Sequence, residues 1–462
     1  MRALLINPPY SSQIVRRYMC SYNAPNFLFP PLELMYLAAQ ARQVEGVEVR
    51  LSDCIAERLT PAAALSLARA WQPDVVLAIA AIEYFDSDVE FLAGLKRELP
   101  AALVGCFGHL PSNFQRETLK ATGADFLLAG EPDLSFRRLL EALAAGRPPA
   151  GAGIATMAGG VFTPAEYQRI ESLDELPFAD QSVIDHSLYG EPFYGHPYTT
   201  FLSSRGCPFS CTYCVKTFGR KFVQESAARV VAEVEAAVRD HGIRCFRFMD
   251  DTFTASRRRV LDICEGLKQI EGITWSCLSR PNTIDGEVAA ALREAGCHRV
   301  YLGIESGSQQ VLDYLGRGYR LERVMKNLRE VRDSGLEMVG WFIVSSPVEE
   351  RDDFEQSLAL ARELKFEFVA VSTLVPYPCT PLFEREKDNI DFSLLPYSCE
   401  FRSQPPASRE SEFYRRYCLS PAYIAGKMGH LARHPRETIR ASADFMRYVV
   451  SSRRDPNRKD LL

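Results

Sequence analysis

Short runs of β-branched residues alternate with helical stretches along the first part of the chain, and this alternation restricts the possible folds more than any other feature. Residues 3–6 are typical of a strand and residues 31–43 of a helix, and the pattern continues to a helix at 136–145. Alternating strands and helices predict a doubly wound parallel sheet over residues 1–145. The fold class is therefore α/β, with ligands expected at the carboxyl ends of the strands.

The alternation stops between residues 146 and 196, where Gly, Pro and Ala predict a linker with a short hairpin. It resumes with six strand candidates, at 199–203, 245–249, 274–278, 299–304, 338–344 and 366–374. Six strands with helices between them predict a partial (β/α)6 barrel over residues 197–385. Residues 386–462 are predicted to form a helical C-terminal region.

Composition places the chain among ordinary globular proteins, with 47% hydrophobic and 24% charged residues. Its apolar runs are far shorter than the roughly 20 residues that span a bilayer, and the N-terminus lacks a secretory pattern, so we expect a cytoplasmic protein. In that reducing compartment the 13 cysteines are expected to be buried residues or metal ligands rather than disulfides. The net charge of −5 gives no reason to expect a nucleic-acid partner.

The C-terminal region is basic, with 12 Lys or Arg against 6 Asp or Glu from Arg409 onward. Apolar and aromatic positions occur on the same predicted helices. Such helices can lie on an anionic membrane surface, so peripheral membrane contact is one interpretation. The alternative is a helical cap on the barrel whose basic face is solvated.

Three cysteines follow the first predicted barrel strand in the segment SSRGCPFSCTYCVKTFGRKF. The spacing places Cys207, Cys211 and Cys214 on one loop at the carboxyl end of a strand, where barrel enzymes carry out their chemistry. Three thiolates can hold a four-iron four-sulfur cluster and leave one iron without a protein ligand. The alternatives are a zinc site, which needs a fourth ligand, and three core cysteines that happen to be close.

This spacing, with the aromatic Tyr213 just before the last cysteine, resembles the radical S-adenosylmethionine (radical SAM) superfamily. The resemblance implies that S-adenosylmethionine chelates the open iron and that one electron cleaves it to a 5′-deoxyadenosyl radical. Tyr213 would then lie against the adenine. An electron donor such as flavodoxin or ferredoxin would be a partner.

Other barrel segments match the superfamily. In FRFMDDTF, Asp250 and Asp251 stand where the family holds the methionine amino group, and a carboxylate suits an ammonium. Glu305 in YLGIESGSQ stands where the family contacts the ribose or amino group, and Arg280 could meet the methionine carboxylate. For each residue the alternative is a loop cap or a surface ion pair. The segment VSSPVEE at 344–350 departs from the family, which usually has Gly before and after this proline.

The N-terminal segments INPPY, PPLELMYLAA, VRLSDCIAE and DFLLAGEPDLSFRRLLEAL resemble the cobalamin-binding subgroup of the same superfamily. The resemblance implies a Rossmann-like cobalamin-binding sheet. The cobalamin-binding candidates follow predicted strands and are Asn7, Pro8, Pro9, Gly105, Gly108, His109, Gly130 and Glu131. The Asp-x-His-x-x-Gly signature for an axial histidine is absent, because CIAERL follows Asp53. The alternative is a sheet that has no cofactor.

The family likeness predicts cobalamin-dependent methylation of an unactivated carbon on a small-molecule or lipid-like substrate. One alternative is a ring-forming, ring-contracting or oxidising enzyme of tetrapyrrole or hopanoid lipid biosynthesis. Methylation adds a CH2 unit to the product and these reactions do not. A further alternative is a non-catalytic iron-sulfur or cobalamin sensor, which would not cleave S-adenosylmethionine.

Overall fold

The structure is a computed structural model that describes residues 1–433, apart from 12–13, 17–20, 24–26, 83, 192–194, 217, 392–399 and 407. The chain divides into two compact units. The first contains Met1–Gly190 and Val215–Gln224, and the second contains Glu191–Cys214 and the chain from Glu225 onward. Within the described residues, no helix combines the length and apolar composition that crossing a membrane requires.

The first unit is an α/β structure. Its strands are β1 (Arg2–Asn7), β2 (Ile14–Arg16), β3 (Ser21–Asn23), β4 (Glu48–Asp53), β5 (Val75–Ile79), β6 (Leu103–Phe107), β7 (Phe126–Leu128), β8 (Ile154–Ala158) and β9 (Val161–Thr163). Its helices are α1 (Leu32–Ala41), α2 (Pro61–Trp71), α3 (Phe85–Glu98), α4 (His109–Asn113), α5 (Gln115–Thr122) and α6 (Pro132–Ala144). Single turns of 3-10 helix follow at Leu173–Glu175, Gln181–Val183 and His186–Leu188.

The main sheet of this unit has the order β4-β1-β5-β6-β7-β8-β9. The first five strands are parallel, which confirms the predicted doubly wound α/β sheet. All five residues of the central strand β5 are buried, as expected for a strand covered on both faces. β2 and β3 form a separate antiparallel pair.

The hairpin β8–β9 belongs to this sheet, because β8 pairs antiparallel with β7 and β9 pairs antiparallel with β8. Residues 146–190, which the sequence predicts as most of a linker, therefore lie in the first compact unit. The sequence pattern does not indicate that the hairpin belongs to the sheet. The hairpin is at the sheet edge, where residues such as Val161 are exposed (68%), so it lacks the apolar pattern of a buried strand.

The second unit contains the barrel strands and the C-terminal helices. Its strands, with β12 of the first unit included in the numbering, are β10 (Tyr198–Phe201), β11 (Ser204–Arg205), β12 (Val223–Gln224), β13 (Cys245–Phe248), β14 (Thr274–Ser279), β15 (Cys297–Glu305), β16 (Glu337–Val344), β17 (Phe368–Thr373), β18 (Ile390–Asp391) and β19 (Glu400–Phe401). Its helices are α7 (Ala227–His241), α8 (Arg257–Leu267), α9 (Gly286–Glu294), α10 (Gln309–Tyr314), α11 (Leu321–Asp333), α12 (Arg351–Leu364), α13 (Pro381–Arg385), α14 (Ser408–Cys418) and α15 (Pro421–Arg433).

Six of these strands form one parallel sheet in the order β10-β13-β14-β15-β16-β17. This order confirms the predicted partial (β/α)6 barrel. Helix starts follow local capping: the side chains of Ser226, Asp285 and Ser308 accept N–H groups in the first turns of α7, α9 and α10. The strands alternate between an apolar face and a polar one, so that Phe246 and Phe248 pack with Trp275 while Arg247 points the other way.

Helix α14 covers the edge strand β17 of the partial barrel. The Val371 N–H donates to the Tyr414 hydroxyl at 2.9 Å, and the Tyr417 hydroxyl donates to the Phe366 carbonyl at 2.6 Å. The first bond occupies a backbone group of β17 that an open sheet edge would leave unpaired, and the second joins α14 to the chain just before that strand. The predicted helical C-terminal region is helical in α14 and α15 and begins with the short pair β18–β19. Most of its basic segment, from His434 to Leu462, lies outside the described residues.

Candidate iron-sulfur and cofactor site

The cysteine loop follows β10 and is held by residues beyond two other barrel strands. The Thr212 N–H donates to the Leu315 carbonyl at 2.9 Å, and the Leu382 N–H donates to the Thr212 carbonyl at 2.9 Å. Cys211 is buried, while Cys207 and Cys214 are half-buried, and none of the three is in a disulfide. The loop is therefore fixed at the carboxyl edge of the barrel with its sulfurs not committed to disulfides.

Cys211 accepts hydrogen bonds from two guanidinium groups. Arg280 Nη1 lies 3.0 Å from its Sγ and Arg317 Nη1 lies 3.3 Å from it. Both arginines are 4% exposed. Burial alone would raise the pKa of the Cys211 thiol, but the charges of Arg317 and Arg280 outweigh it and hold that pKa below its ordinary value. The environment favours the thiolate, which is the form that binds metal.

Cys207 has a neutral hydroxyl as its side-chain contact instead of a guanidinium group. Its Sγ is 3.8 Å from Thr252 Oγ1. Burial raises the pKa of the Cys207 thiol and the Asp251 carboxylate raises it further, while hydrogen bonds from Phe209 and Thr252 and the charge of Arg280 lower it by less. The two cysteines therefore differ in the charge of their surroundings.

Arg317, which sequence reasoning missed, connects the cysteine loop to Glu305. Its Nη1 is 3.3 Å from the Tyr213 hydroxyl and 3.3 Å from Glu305 Oε1, and its Nη2 donates to the Gly303 carbonyl. Glu305 itself has φ of +67°, a conformation that is costly for a residue with a side chain and is common at functional sites. The sequence signal for Arg317 is its position between two glycines in LGRGY.

Asp250 is fully buried and hydrogen-bonded within the barrel. Its Oδ1 accepts the Ser203 N–H at 2.8 Å, and its Oδ2 accepts the hydroxyls of Ser203 at 2.7 Å and Ser204 at 2.6 Å. Burial raises the pKa of its carboxyl group. Asp250 thus fixes the chain that leads into the cysteine loop, whereas its neighbour Asp251 is the carboxylate close to Cys207.

Arg280 uses each of its nitrogens inside the protein. Besides the bond to Cys211, its Nη2 donates to the Arg317 carbonyl at 2.8 Å and its Nε to Asn282 Oδ1 at 3.2 Å. The guanidinium carbon lies 4.0 Å from the centre of the Phe209 ring. Arg280 is therefore hydrogen-bonded both to the cysteine loop and to the turn that carries Arg317.

The donor set fits an iron-sulfur cluster. Within the part of the chain that the structure describes, no three His, Cys, Asp or Glu side chains are close enough to hold one metal ion. A four-iron cluster takes its thiolates on separate irons, so three cysteines on one loop can each bind a different iron. Cys207, Cys211 and Cys214, with cationic donors at Cys211, meet that requirement.

The segment 345–349, which departs from the family pattern, forms a closed turn. Ser345 has φ of +61°, a conformation that glycine adopts more readily. Its N–H donates to Glu349 Oε2 at 2.7 Å and its hydroxyl to the Pro406 carbonyl at 3.0 Å, while Arg409 Nη1 donates to Glu349 Oε2 at 2.6 Å. Hydrogen bonds therefore hold a serine where the family usually has glycine.

In the first unit, Asn7 and Asp53 end the adjacent strands β1 and β4. Asn7 Nδ2 donates to Asp53 Oδ1 at 2.8 Å, and the Tyr189 hydroxyl donates to Asp53 Oδ2 at 2.9 Å. Burial raises the pKa of the Asp53 carboxyl. Asn7 Oδ1 is buried and has no hydrogen-bond partner among the described residues. A polar atom left this way at the carboxyl edge of a parallel sheet fits a ligand site.

The three candidate glycines of this unit are required by close packing. A Cβ would lie 2.3 Å from the Phe126 ring at Gly105, 2.1 Å from the Ala80 carbonyl at Gly108 and 2.3 Å from the Gln168 carbonyl at Gly130. Contacts this short exclude any side chain. Packing against neighbouring residues therefore requires glycine at these three positions.

The remaining cobalamin candidates are buried near the same edge. Pro8 and Pro9 follow β1, His109 begins α4, and Glu131 precedes α6. Glu131 Oε1 accepts the Ile170 N–H at 3.3 Å. The structure therefore places all eight candidates in the first unit, and the cysteines with Tyr213, Asp250, Asp251, Arg280 and Glu305 in the second.

A six-stranded parallel half-barrel with three cysteines on the loop after its first strand defines an enzyme of the radical SAM class. The family model described as the radical SAM superfamily matches residues 201–361. An uncharacterised methyltransferase of Pyrococcus horikoshii is 31% identical over 392 residues, which is 83% of each chain. Because this likeness extends over most of both proteins, the chain belongs to the radical SAM superfamily.

Two further similarities extend across both units. The anaerobic magnesium-protoporphyrin IX monomethyl ester cyclase of Rubrivivax gelatinosus is 26% identical over 446 residues, or 92% of this chain and 78% of the cyclase. The solved structure of the radical S-adenosylmethionine methyltransferase TsrM from Kitasatospora setae, with cobalamin and a 4Fe-4S cluster bound, matches with a TM-score of 0.66. It is 19% identical and covers 84% of this chain and 75% of TsrM. The chain therefore has the fold of TsrM.

Proposed function

We propose that this enzyme holds a four-iron four-sulfur cluster on Cys207, Cys211 and Cys214 and cleaves S-adenosylmethionine to a 5′-deoxyadenosyl radical. The observation that carries the proposal is the loop of three cysteines outside any disulfide, in which Cys211 accepts two buried guanidinium N–H groups. A reduced cluster supplies the single electron for this cleavage. The electron itself has to come from a donor of the flavodoxin or ferredoxin type.

The residues around the cysteines have separate roles in this proposal. Asp251 lies near Cys207 and is a carboxylate for the methionine ammonium. Tyr213 and Glu305 are the candidates for contacts with the adenosine. Asp250 and Arg280 were expected to touch S-adenosylmethionine directly. Because their polar atoms are engaged inside the protein, we assign them the task of holding the loop in place.

We further propose that cobalamin binds at the carboxyl edge of the sheet in the first unit. The buried and unpartnered Asn7 Oδ1 supports this site, as does the shared fold with TsrM, whose structure contains cobalamin. Asn7, Pro8, Pro9, His109 and Glu131 remain the candidate contacts. No histidine follows Asp53 at the position of the axial-ligand signature. Cobalamin would therefore bind without that histidine.

The proposed reaction is methyl transfer to an unactivated carbon of a small molecule. The methyltransferase relative and the TsrM fold support transfer of a methyl group. In the scheme that the family likeness implies, one S-adenosylmethionine gives up its methyl group and becomes S-adenosylhomocysteine. A second is cleaved by one electron to methionine and the 5′-deoxyadenosyl radical, which becomes 5′-deoxyadenosine when it removes a hydrogen atom from the substrate.

The two products allow a test that needs no knowledge of the substrate. Full-length protein, reconstituted without oxygen with iron, sulfide and cobalamin, is incubated with S-adenosylmethionine and dithionite. We expect both 5′-deoxyadenosine and S-adenosylhomocysteine, with the second dependent on cobalamin. Cleavage without S-adenosylhomocysteine would reject methyl transfer, and the absence of both products would reject radical chemistry.

The second candidate function is oxidative ring formation on a tetrapyrrole. The observation that favours it is the match to the Rubrivivax cyclase, which extends over 92% of this chain. This enzyme would produce 5′-deoxyadenosine but not S-adenosylhomocysteine. The same experiment therefore separates the two candidates.

A further inference from the structure

Cys211 is distinguished from Cys207 by two guanidinium hydrogen bonds at its sulfur. Arg280 and Arg317 each direct an Nη1–H group at Cys211 Sγ, at 3.0 and 3.3 Å. The contact of Cys207 Sγ with Thr252 Oγ1, at 3.8 Å, involves a neutral hydroxyl. A cluster on this loop would therefore have two cationic donors at the ligand of one iron.

Arg317 is held in this position by its own surroundings. Its Nη2 donates to the Gly303 carbonyl, and its Nη1 lies 3.3 Å from Glu305 Oε1. Its backbone carbonyl accepts Arg280 Nη2 at 2.8 Å. The orientation of its guanidinium towards Cys211 is thus set by protein contacts, independently of any bound cofactor.

The turn that carries Arg317 packs directly on the cysteine loop. Gly316 has φ of +67°, and a Cβ there would lie 2.9 Å from Thr212 Cγ2 and 3.0 Å from the Ser210 carbonyl. The Thr212 N–H donates to the Leu315 carbonyl at 2.9 Å. Glycine thereby lets the turn approach closely enough for the arginine side chain to reach a cluster ligand.

Positive donors at a cluster sulfur have a defined electrochemical effect. Hydrogen bonds to the sulfurs, local charge and solvent exposure set the reduction potential of iron-sulfur clusters. Reduction adds a negative charge, so a cation beside the ligand stabilises the reduced form more than the oxidised form. Arg317 is 4% exposed, and solvent therefore screens its charge weakly.

We propose that Arg317 is a positioning residue that acts through Cys211 to raise the reduction potential of the cluster. The inference rests on the proposed function, because it requires the cluster on the three cysteines. It assigns Arg317 a role in the electron-transfer step that precedes cleavage of S-adenosylmethionine. Reduction of the cluster by a weaker one-electron donor then becomes more favourable.

The test is a redox titration followed by the electron paramagnetic resonance signal of the reduced cluster. Reconstituted full-length protein is titrated without S-adenosylmethionine, as the unsubstituted chain and as Arg317→Met and Arg317→Lys. The matched control is Arg320→Met, because Arg320 is 63% exposed and pairs with Asp313 at 3.3 Å. Iron and sulfide content are measured for each protein before the titration.

We expect Arg317→Met to lower the ratio of reduced to oxidised cluster at least tenfold at a given solution potential. This corresponds to a decrease of about 59 mV in the reduction potential of a one-electron couple. Arg317→Lys should shift the potential in the same direction by less, and Arg320→Met should leave it unchanged. An unchanged potential in a fully loaded Arg317→Met protein overturns the inference. If that variant does not load, the potential of Arg317→Lys decides in the same way.

Failure of both Arg317 variants to load also overturns the inference, since Arg317 would then be needed to assemble the site. These outcomes are distinguishable from failure of the proposed function. If the unsubstituted chain takes up no iron and sulfide, the cluster itself is absent. The Arg317 variants are informative only after that measurement gives a loaded cluster.

Discussion

Glu191 lies between two arginines inside the barrel unit. Its Oε1 is 2.9 Å from Arg247 Nη2 and 2.8 Å from Arg299 Nη1, and all three side chains are at most 4% exposed. Burial opposes ionisation, but the two guanidinium groups outweigh it and lower the pKa of Glu191 to about 2. The contribution of this carboxylate to stability is therefore complete above pH 4.5 and is lost as the pH falls towards 2.

We expect Glu191→Gln to lower the free energy of unfolding by about 3–5 kcal/mol, because removing one partner leaves buried charges uncompensated. Chemical unfolding at neutral pH, followed by tryptophan fluorescence, measures the change. The control is Glu48→Gln, which removes an exposed ion pair. In that pair Glu48 Oε2 lies 3.4 Å from Arg2 Nε, and the Glu48 side chain is 65% exposed. A Glu191→Gln protein as stable as the control would contradict the interpretation.

Glu225 has the opposite dependence on pH. Its Oε1 accepts Arg229 Nε at 3.0 Å, but its Oε2 has no partner among the described residues. Burial raises the pKa of Glu225 to about 7, more than the charge of Arg229 lowers it. Between pH 4.5 and 7 the folded protein therefore binds more protons at this site than the unfolded chain, and this contribution to stability decreases as the pH rises.

Glu225→Gln should remove that part of the pH dependence. We expect the melting temperature of the variant to fall less than that of the unsubstituted protein between pH 5 and pH 7.5, since the amide does not ionise. Thermal melts of both proteins across this range measure the difference. If the melting temperatures of both proteins depended equally on pH, the pKa of Glu225 would not be raised in the folded state.

Contacts between side chains that are distant in sequence cannot be predicted from the sequence. The cysteines, Tyr213 and Glu305 can be proposed from the sequence because their motifs are local. Arg299 bonds to Glu191 across 108 residues, and Arg317 reaches Cys211 across 106. Neither pairing leaves a local pattern, so only the folded chain brings these residues together.

At the scale of elements, the LGRGY turn and the cysteine loop act as one assembly. Both Gly316 and Gly318 have positive φ, at +67° and +72°, but only a Cβ at Gly316 would meet the cysteine loop. Alanine should therefore strain the backbone at either position, and it should displace the loop only at Gly316.

We expect Gly316→Ala to reduce the iron and sulfide content of the reconstituted protein well below that of Gly318→Ala. The two substitutions are matched in chemistry and in backbone conformation, so the difference reports the contact with Ser210 and Thr212. Equal cluster content in both variants would contradict the close packing as the reason for the glycine.

Elements were predicted well where periodicity is strong and poorly where an element is short and exposed. The buried strand β5 and the six barrel strands were found because apolar residues mark them. The hairpin β8–β9 was assigned to a linker, since its residues are partly exposed and only pairing with β7 shows that it belongs to the sheet. The pairing partner, rather than the side-chain pattern, defines such a strand.

At the scale of the whole molecule, the predicted sequence of a doubly wound sheet, a partial barrel and C-terminal helices agrees with the structure. The boundary differs, because the first compact unit extends to Gly190 and also includes Val215–Gln224. The pairing of the hairpin with β7 places residues after 146 in the first unit, and the composition shift at residue 146 does not mark this boundary.

The central claim is that the loop of three cysteines holds a cluster that cleaves S-adenosylmethionine. The most direct measurement is iron and sulfide content together with 5′-deoxyadenosine formed after dithionite reduction, for the unsubstituted chain, Cys211→Ala and Cys418→Ala. Cys418 is the matched control because it ends α14, far along the chain from the cysteine loop. We predict that Cys211→Ala loses both the cluster and the product while Cys418→Ala keeps both. Cleavage by Cys211→Ala at the unsubstituted level, or no cluster in the unsubstituted chain, would contradict the claim.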